Sequence, residues 1–230
     1  MRSQYKGILL KLLFTLVVFG LCFVWSEKEV FLQEDYSQPA MILDAGHGGE
    51  DGGAVSCTGA KESTINLMIA LRMEQILGLL GEAPMMLRNQ DVSLHDPLAE
   101  TLREKKVSDL KNRVEAVNAN PKATLISIHQ NSYPESKYRG TQVFYAPTGG
   151  SEELAEAIQA AVCDTFQKEN TRQAKEIPET VYLMNHIGNR AILVECGFLT
   201  NPEEESMLRQ PEYQCKLALV LSDAVIGEMH

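Results

Sequence analysis

The stretch AMILDAGHGGEDGG, residues 40–53, sets a short apolar run against a turn crowded with glycine. A run of that length bounded by glycine reads as a buried strand. The glycines that follow let the backbone turn sharply and leave space for a ligand. Working outward, apolar runs of strand length recur at 85–88, 124–129 (TLISIH), 141–146 (TQVFYA), 181–184 and 191–195 (AILVE). The last is apolar without a break up to its glutamate, as in a strand buried on both faces. Helical patterns fill the gaps. Residues 63–80 carry Ile65, Ile69, Ile76 and Leu80 and stop at Gly81. Ser108 is placed to cap a helix to about residue 118, with Leu110, Val114 and Val117 on one face. Gly149-Gly150-Ser151 opens a helix to about residue 166. Asn201-Pro202-Glu203-Glu204 is a helix start, with Asn as cap and Pro in the first turn. A final helix spans about 211–227, and 89–107 reads as a polar surface stretch. Strands alternating with helices predict an open α/β sheet with helices on both faces.

The first residues read separately. Arg2 and Lys6 lead into an apolar run from Ile8 to Trp25 that only Lys11 interrupts. A basic flank before an apolar core is an export signal, and the whole run is barely long enough to span a bilayer. Residues 1–25 are therefore expected to be a signal peptide or membrane anchor, able to contact the membrane, with the body outside the cytoplasm. Residues 26–38 form a polar linker, and 39–230 form one domain. The net charge of −10 and the lack of a basic cluster beyond the N-terminus exclude a nucleic-acid partner. Five cysteines without a C-x-x-C pair argue against a disulfide framework and read as small apolar side chains.

Four residues stand where open α/β sheets place their sites, at strand ends and a helix start. His47 follows the first strand, His129 ends the third, Glu195 ends the sixth, and Glu62 opens the first helix. Two histidines and a carboxylate can hold Zn²⁺ with a fourth position open, and hydrolysis then needs a second carboxylate as base. Each residue also has a plainer reading: a hydrogen-bonded loop histidine, a first-turn glutamate favouring the helix dipole, a salt-bridge member. Spacing alone leaves those alternatives open. Asp44 and Asn131 flank two of the candidates and are expected to be substrate contacts or to support the ligands. Asp51 reads as a turn residue. His186 and Arg139 read as surface residues, and His95 and His230 are assigned no function.

These same residues lie in motifs that resemble a known family. ILDAGHGGEDGGA, KESTINLMIA, LISIHQNS and ILVECGFLTNPEEE occur in order and resemble the four motifs of the zinc-dependent N-acetylmuramoyl-L-alanine amidases, the third amidase family of bacterial autolysins. The resemblance implies one Zn²⁺ on His47, Glu62 and His129, with Glu195 as general base. It implies a mixed six-stranded sheet flanked by helices. It also implies hydrolysis of the bond between N-acetylmuramic acid and L-alanine in peptidoglycan. LREKKVSDLKNRVEAVN, SKYRGTQVFY, TRQAKEI and VYLMNH are similar to the germination-specific subgroup of endospore formers. That implies action on spore-cortex peptidoglycan ahead of muramic-δ-lactam formation, in the forespore intermembrane space, with a spore lipoprotein as a conceivable partner. A vegetative cell-separation amidase and a non-catalytic peptidoglycan-binding module are the rival expectations. Gln130 and Cys196 depart from the family pattern.

Overall fold

The computed structural model describes residues 39–229. The expected N-terminal signal or anchor (1–25) and linker (26–38) lie outside the described residues.

Six strands, β1 (Met41–Ala45), β2 (Met85–Met86), β3 (Thr124–Asn131), β4 (Gln142–Tyr145), β5 (Lys175–Glu176) and β6 (Ala191–Phe198), form one sheet in the order β2-β1-β3-β6-β4-β5. The pairs β1–β2, β1–β3, β3–β6 and β4–β5 are parallel, and β4 runs antiparallel to β6. The sheet is therefore mixed, as the resemblance implies. Its helices are α1 (Glu62–Leu79), α2 (Leu102–Asn118), α3 (Ser151–Thr165), α4 (Tyr182–Asn185), α5 (Pro202–Leu208) and α6 (Pro211–Gly227).

Successive strand residues point to opposite faces, and both faces are packed. Leu43, Ile126, Ile128 and Val194 meet Ile69 and Met73 of α1, Ile158 of α3 and Leu221 of α6. Ile42, Leu125 and Leu193 meet Val117 of α2 and Leu183 and Met184 of α4. Burying each such side chain stabilises the fold by about 1.5–3 kcal/mol. Apolar side chains on both faces explain why β3 and β6 read as unbroken apolar runs.

Two sequence expectations are corrected. The polar stretch 89–107 does not stay irregular to its end, because α2 starts at Leu102. Thr101 caps it: Glu104 N donates to Thr101 Oγ1 (3.2 Å) and Thr101 N to Glu104 Oε2 (3.0 Å). That capping box was legible as Thr-x-x-Glu; Ser108 sits inside the helix, its hydroxyl donating to Lys105 O. Residues 181–184 are not a strand either. Tyr182–Asn185 is a single helical turn, and the fifth strand is the short, exposed, polar Lys175–Glu176 paired on the edge with Phe144 and Tyr145. The cysteine expectation holds for Cys196, which is buried. Cys57 and Cys215 are exposed, and all four described cysteines are free.

Candidate metal centre

The parallel register of β3 and β6 sets His129 directly beside Glu195. His47 follows β1 on the neighbouring strand, and α1 begins at Glu62 so that its first side chain reaches over the same sheet edge. One donor atom each of His47, Glu62 and His129 lies within 4.8 Å of the others. Glu62 Oε1 is 3.3 Å from His47 Nε2 and 2.9 Å from His129 Nδ1. Ligands about 2.0–2.1 Å from a tetrahedral zinc are themselves about 3.3 Å apart, so this donor set and spacing fit Zn²⁺. The imidazoles are 20% and 19% exposed, against 5% for Glu62, which leaves one side of the group facing solvent.

Around the three donors lies a supporting layer that the sequence reading passed over. Asp51 Oδ2 is 3.0 Å from His47 Nδ1 and thereby orients the ring to present Nε2. It is also the expected turn residue, since its Oδ1 accepts Gly53 N. Glu62 Oε2 accepts Ala54 N (2.9 Å), while Oε1 accepts Gln130 N (3.2 Å) and Asn66 Nδ2 (3.3 Å). Gln130, a departure from the family pattern, donates through Nε2 to Asn66 Oδ1 (3.1 Å) and so steadies the asparagine.

His47 has φ 62 and is the non-glycine in the left-handed region among the described residues, a conformation that costs roughly 1–2 kcal/mol. Two buried arginines hold the loop there. Arg88 donates to Ala45 O (2.7 Å) and Gly46 O (3.0 Å), and Arg113 to Ala45 O (3.2 Å) and His47 O (2.8 Å). Asp44 is 1% exposed, paired with Arg113 and accepting Ser127 Oγ at 2.6 Å. Its carboxylate is thus closed off from solvent and tied to Arg113, whose Nη2 in turn donates to His47 O. Leu110, Arg113, Val114 and Val117 share one helical face; a lone arginine on that stripe was the available signal.

Gly46 N donates to Ile128 O (3.0 Å), pulling the turn against β3. A Cβ at Gly46 would lie 2.2 Å from His129 Cε1 and Nε2. Gly46→Ala is therefore expected to displace the His129 ring and weaken zinc binding at least about tenfold, in a protein that still folds. Zinc titration with circular dichroism checks this, and an unchanged Kd would place His129 outside the metal set.

Glu195 is half-buried, and its Oε2 is shut from solvent with no hydrogen-bond partner. Burial, helped by the charge of Glu62 and opposed by His129 and His47, pushes its carboxyl up to about 7. Glu62 moves the other way: burial raises it, but the hydrogen bonds from His129 and His47 outweigh that and hold it well below the usual range. Two acids at one site with pKa values pushed apart is the pattern of divided roles. His47 is raised to about 9, since contacts with Asp51 and Glu62 outweigh the opposing effect of burial.

Asn131 lies two residues past His129, across a register shift, with its backbone O accepting Leu199 N. It is half-buried and outside the three-donor cluster. His186 is exposed and stacks on Tyr182, with ring centroids 3.9 Å apart. Arg139 is exposed beside Glu203.

A fold with this sheet, these helices and this cluster matches the N-acetylmuramoyl-L-alanine amidase family over residues 41–226, and the chain belongs to that family. Within it, the chain is 33% identical over 225 residues to the germination-specific N-acetylmuramoyl-L-alanine amidase of Bacillus subtilis (strain 168), covering 95% of this chain and 92% of the relative. It resembles the CwlD amidase from Clostridioides difficile, solved in complex with the GerS lipoprotein, with a TM-score of 0.79 and 34% identity, covering 82% of this chain and 97% of that one. The LytC amidase of B. subtilis is 28% identical over 190 residues, 81% of this chain but 35% of that relative.

Proposed function

We propose that this chain is a zinc-dependent hydrolase that cuts the amide between the lactyl carbonyl of N-acetylmuramic acid and L-alanine in peptidoglycan. The observation that carries the reading is the convergence of His47, Glu62 and His129 beside the orphaned Oε2 of Glu195. His47, Glu62 and His129 would hold one Zn²⁺, which supplies Lewis-acid polarisation and acidifies water. Asp51 keeps Nε2 of His47 turned toward that position. Glu195 takes a proton from the attacking water and returns it to the alanine nitrogen as the C–N bond breaks. Asn131, half-buried two residues past His129, is assigned to the substrate. A non-catalytic binding module has no use for a buried, unpartnered glutamate next to a metal-binding triad.

The likeness to the germination-specific relative supports a role on spore-cortex peptidoglycan, upstream of δ-lactam formation, rather than in vegetative cell separation. We further propose residues 1–25 as signal or anchor, 26–38 as linker and 39–230 as catalytic domain; action on spore cortex would set the enzyme in the forespore intermembrane space. The lipoprotein seen with the C. difficile relative makes such a partner a candidate here, to be tested by zinc titration with and without it.

The purified chain is expected to release alanyl peptides from muropeptides, to lose that activity at least about 100-fold on chelation, and to regain it with zinc. Product analysis on spore and vegetative peptidoglycan checks both parts. Undiminished activity after the metal is stripped would exclude zinc.

A further inference from the structure

Glu62 is the first residue of α1, yet Lys61 before it supplies no side-chain cap. The start of α1 is held instead by the loop that leads into it. Glu62 N donates to Ala54 O (2.9 Å) and Ser63 N to Gly52 O (3.1 Å). Ala54 N in turn donates to Glu62 Oε2 (2.9 Å). Gly53, at φ 65, lies so close that a Cβ there would stand 2.5 Å from Glu62 Oε2 and 2.7 Å from His47 Cδ2. Residues 52–54 therefore set both the backbone and the carboxylate of Glu62.

The rest of the loop holds residues 52–54 in turn. Val55 and Lys61 pair in an antiparallel bridge. Beyond them, Ser56 N donates to Ala60 O (2.9 Å) and Gly59 N to Ser56 O (3.0 Å). Val55, Cys57, Thr58 and Gly59 are exposed, whereas Ser56 is buried. A turn with so little apolar packing opens easily unless something fastens it. Glu205 of α5, distant in sequence, does so. Its side chain is 3% exposed, with Arg209 at 3.4 Å. Its Oε1 accepts Ser56 Oγ (3.0 Å) and the hydroxyl of Thr58. These donors offset the cost of burying the carboxylate. The two preceding glutamates of α5 reach elsewhere. Glu203 is exposed, and Glu204 accepts Gly140 N (2.8 Å) and Phe198 N (2.9 Å).

We propose that Glu205 is a positioning residue for Glu62: by fastening the turn through Ser56 and Thr58, it keeps residues 52–54 against the Glu62 carboxylate. The consequence for zinc rests on the metal reading of His47, Glu62 and His129 and deepens it. A side chain of α5 then sets the affinity of a centre that it does not touch.

Zinc titration and amide hydrogen exchange on the full chain test it together. In Glu205→Ala the zinc Kd is expected to rise about tenfold. In the metal-free variant the amides of Ala54 and Glu62 should exchange about tenfold faster. Glu205→Gln, whose amide oxygen still accepts the two hydroxyls, should recover most of both. Glu203→Ala removes an acid from the same helix start without touching the loop, and should change neither. The paired variant Ser56→Ala with Thr58→Val leaves α5 intact and should match Glu205→Ala, so it carries the test if Glu205→Ala does not fold. Adding Glu205→Ala to that pair should cost little more, because both cut the same contacts. Losses that simply add, or a zinc Kd unchanged while the amides exchange faster, would overturn the proposal by confining Glu205 to the stability of α5. A parent chain that takes up no zinc, while Glu205→Ala still loosens Ala54 and Glu62, would sink the metal reading and leave the fastening of Glu62 standing.

Discussion

Glu195→Gln is expected to bind zinc as the parent does and to lose turnover by about 10²–10⁴-fold, the usual contribution of a general base. Glutamine keeps the shape but cannot take a proton. A second readout comes from the buried carboxylate itself. Its pKa is raised to about 7 in the folded chain, against about 4.3 unfolded, so the native state binds more protons between those values. Stability of the metal-free protein should therefore fall as pH rises through that window. Glu195→Gln removes the penalty. The metal-free variant should melt above its parent at pH 8 and close to it below pH 4. Full activity in the variant would remove Glu195 from the mechanism, and identical melting curves at both pH values would mean that its carboxyl is well solvated.

Arg113→Leu should produce the largest change in stability. Arg113 and Asp44 are 2% and 1% exposed, and leaving one partner of such a pair buried alone costs about 3–5 kcal/mol. For a domain of this size that is a fall in Tm of roughly 6–20 °C. The exposed pair Lys105–Glu50, at 24% and 56%, is worth at most about 1 kcal/mol, so Lys105→Ala is the control. Adding Asp44→Asn to Arg113→Leu takes away the stranded charge and should recover much of the Tm. It should not recover zinc affinity, because the carbonyls of Ala45 and His47 still lack the Arg113 donors that hold His47 at φ 62. Recovery of both properties in the double variant would show that Arg113 does not position His47.

What the chain discloses before folding is uneven, for physical reasons. The buried strands announced themselves because a strand covered on both faces must be apolar throughout, and the candidate ligands because they sit where those strands end and where the first helix begins. The edge strand Lys175–Glu176 gave no signal: two exposed polar residues held by pairing with Phe144 and Tyr145 have no pattern of their own. Tyr182–Asn185 was misleading because a four-residue apolar run serves a strand or a helical turn equally. The supporting residues Asn66 and Arg88 were the least visible. Each acts through partners distant in sequence or through backbone groups, and neither is encoded in local spacing.

X-ray absorption on the purified, zinc-loaded chain tests the metal centre most directly. One zinc per chain is expected, with two imidazole nitrogens and carboxylate oxygen at about 2.0–2.2 Å, and with the ion lost when His47, Glu62 or His129 is replaced by alanine. A chain that takes up no zinc, or that keeps it unchanged in all three variants, would contradict the assignment.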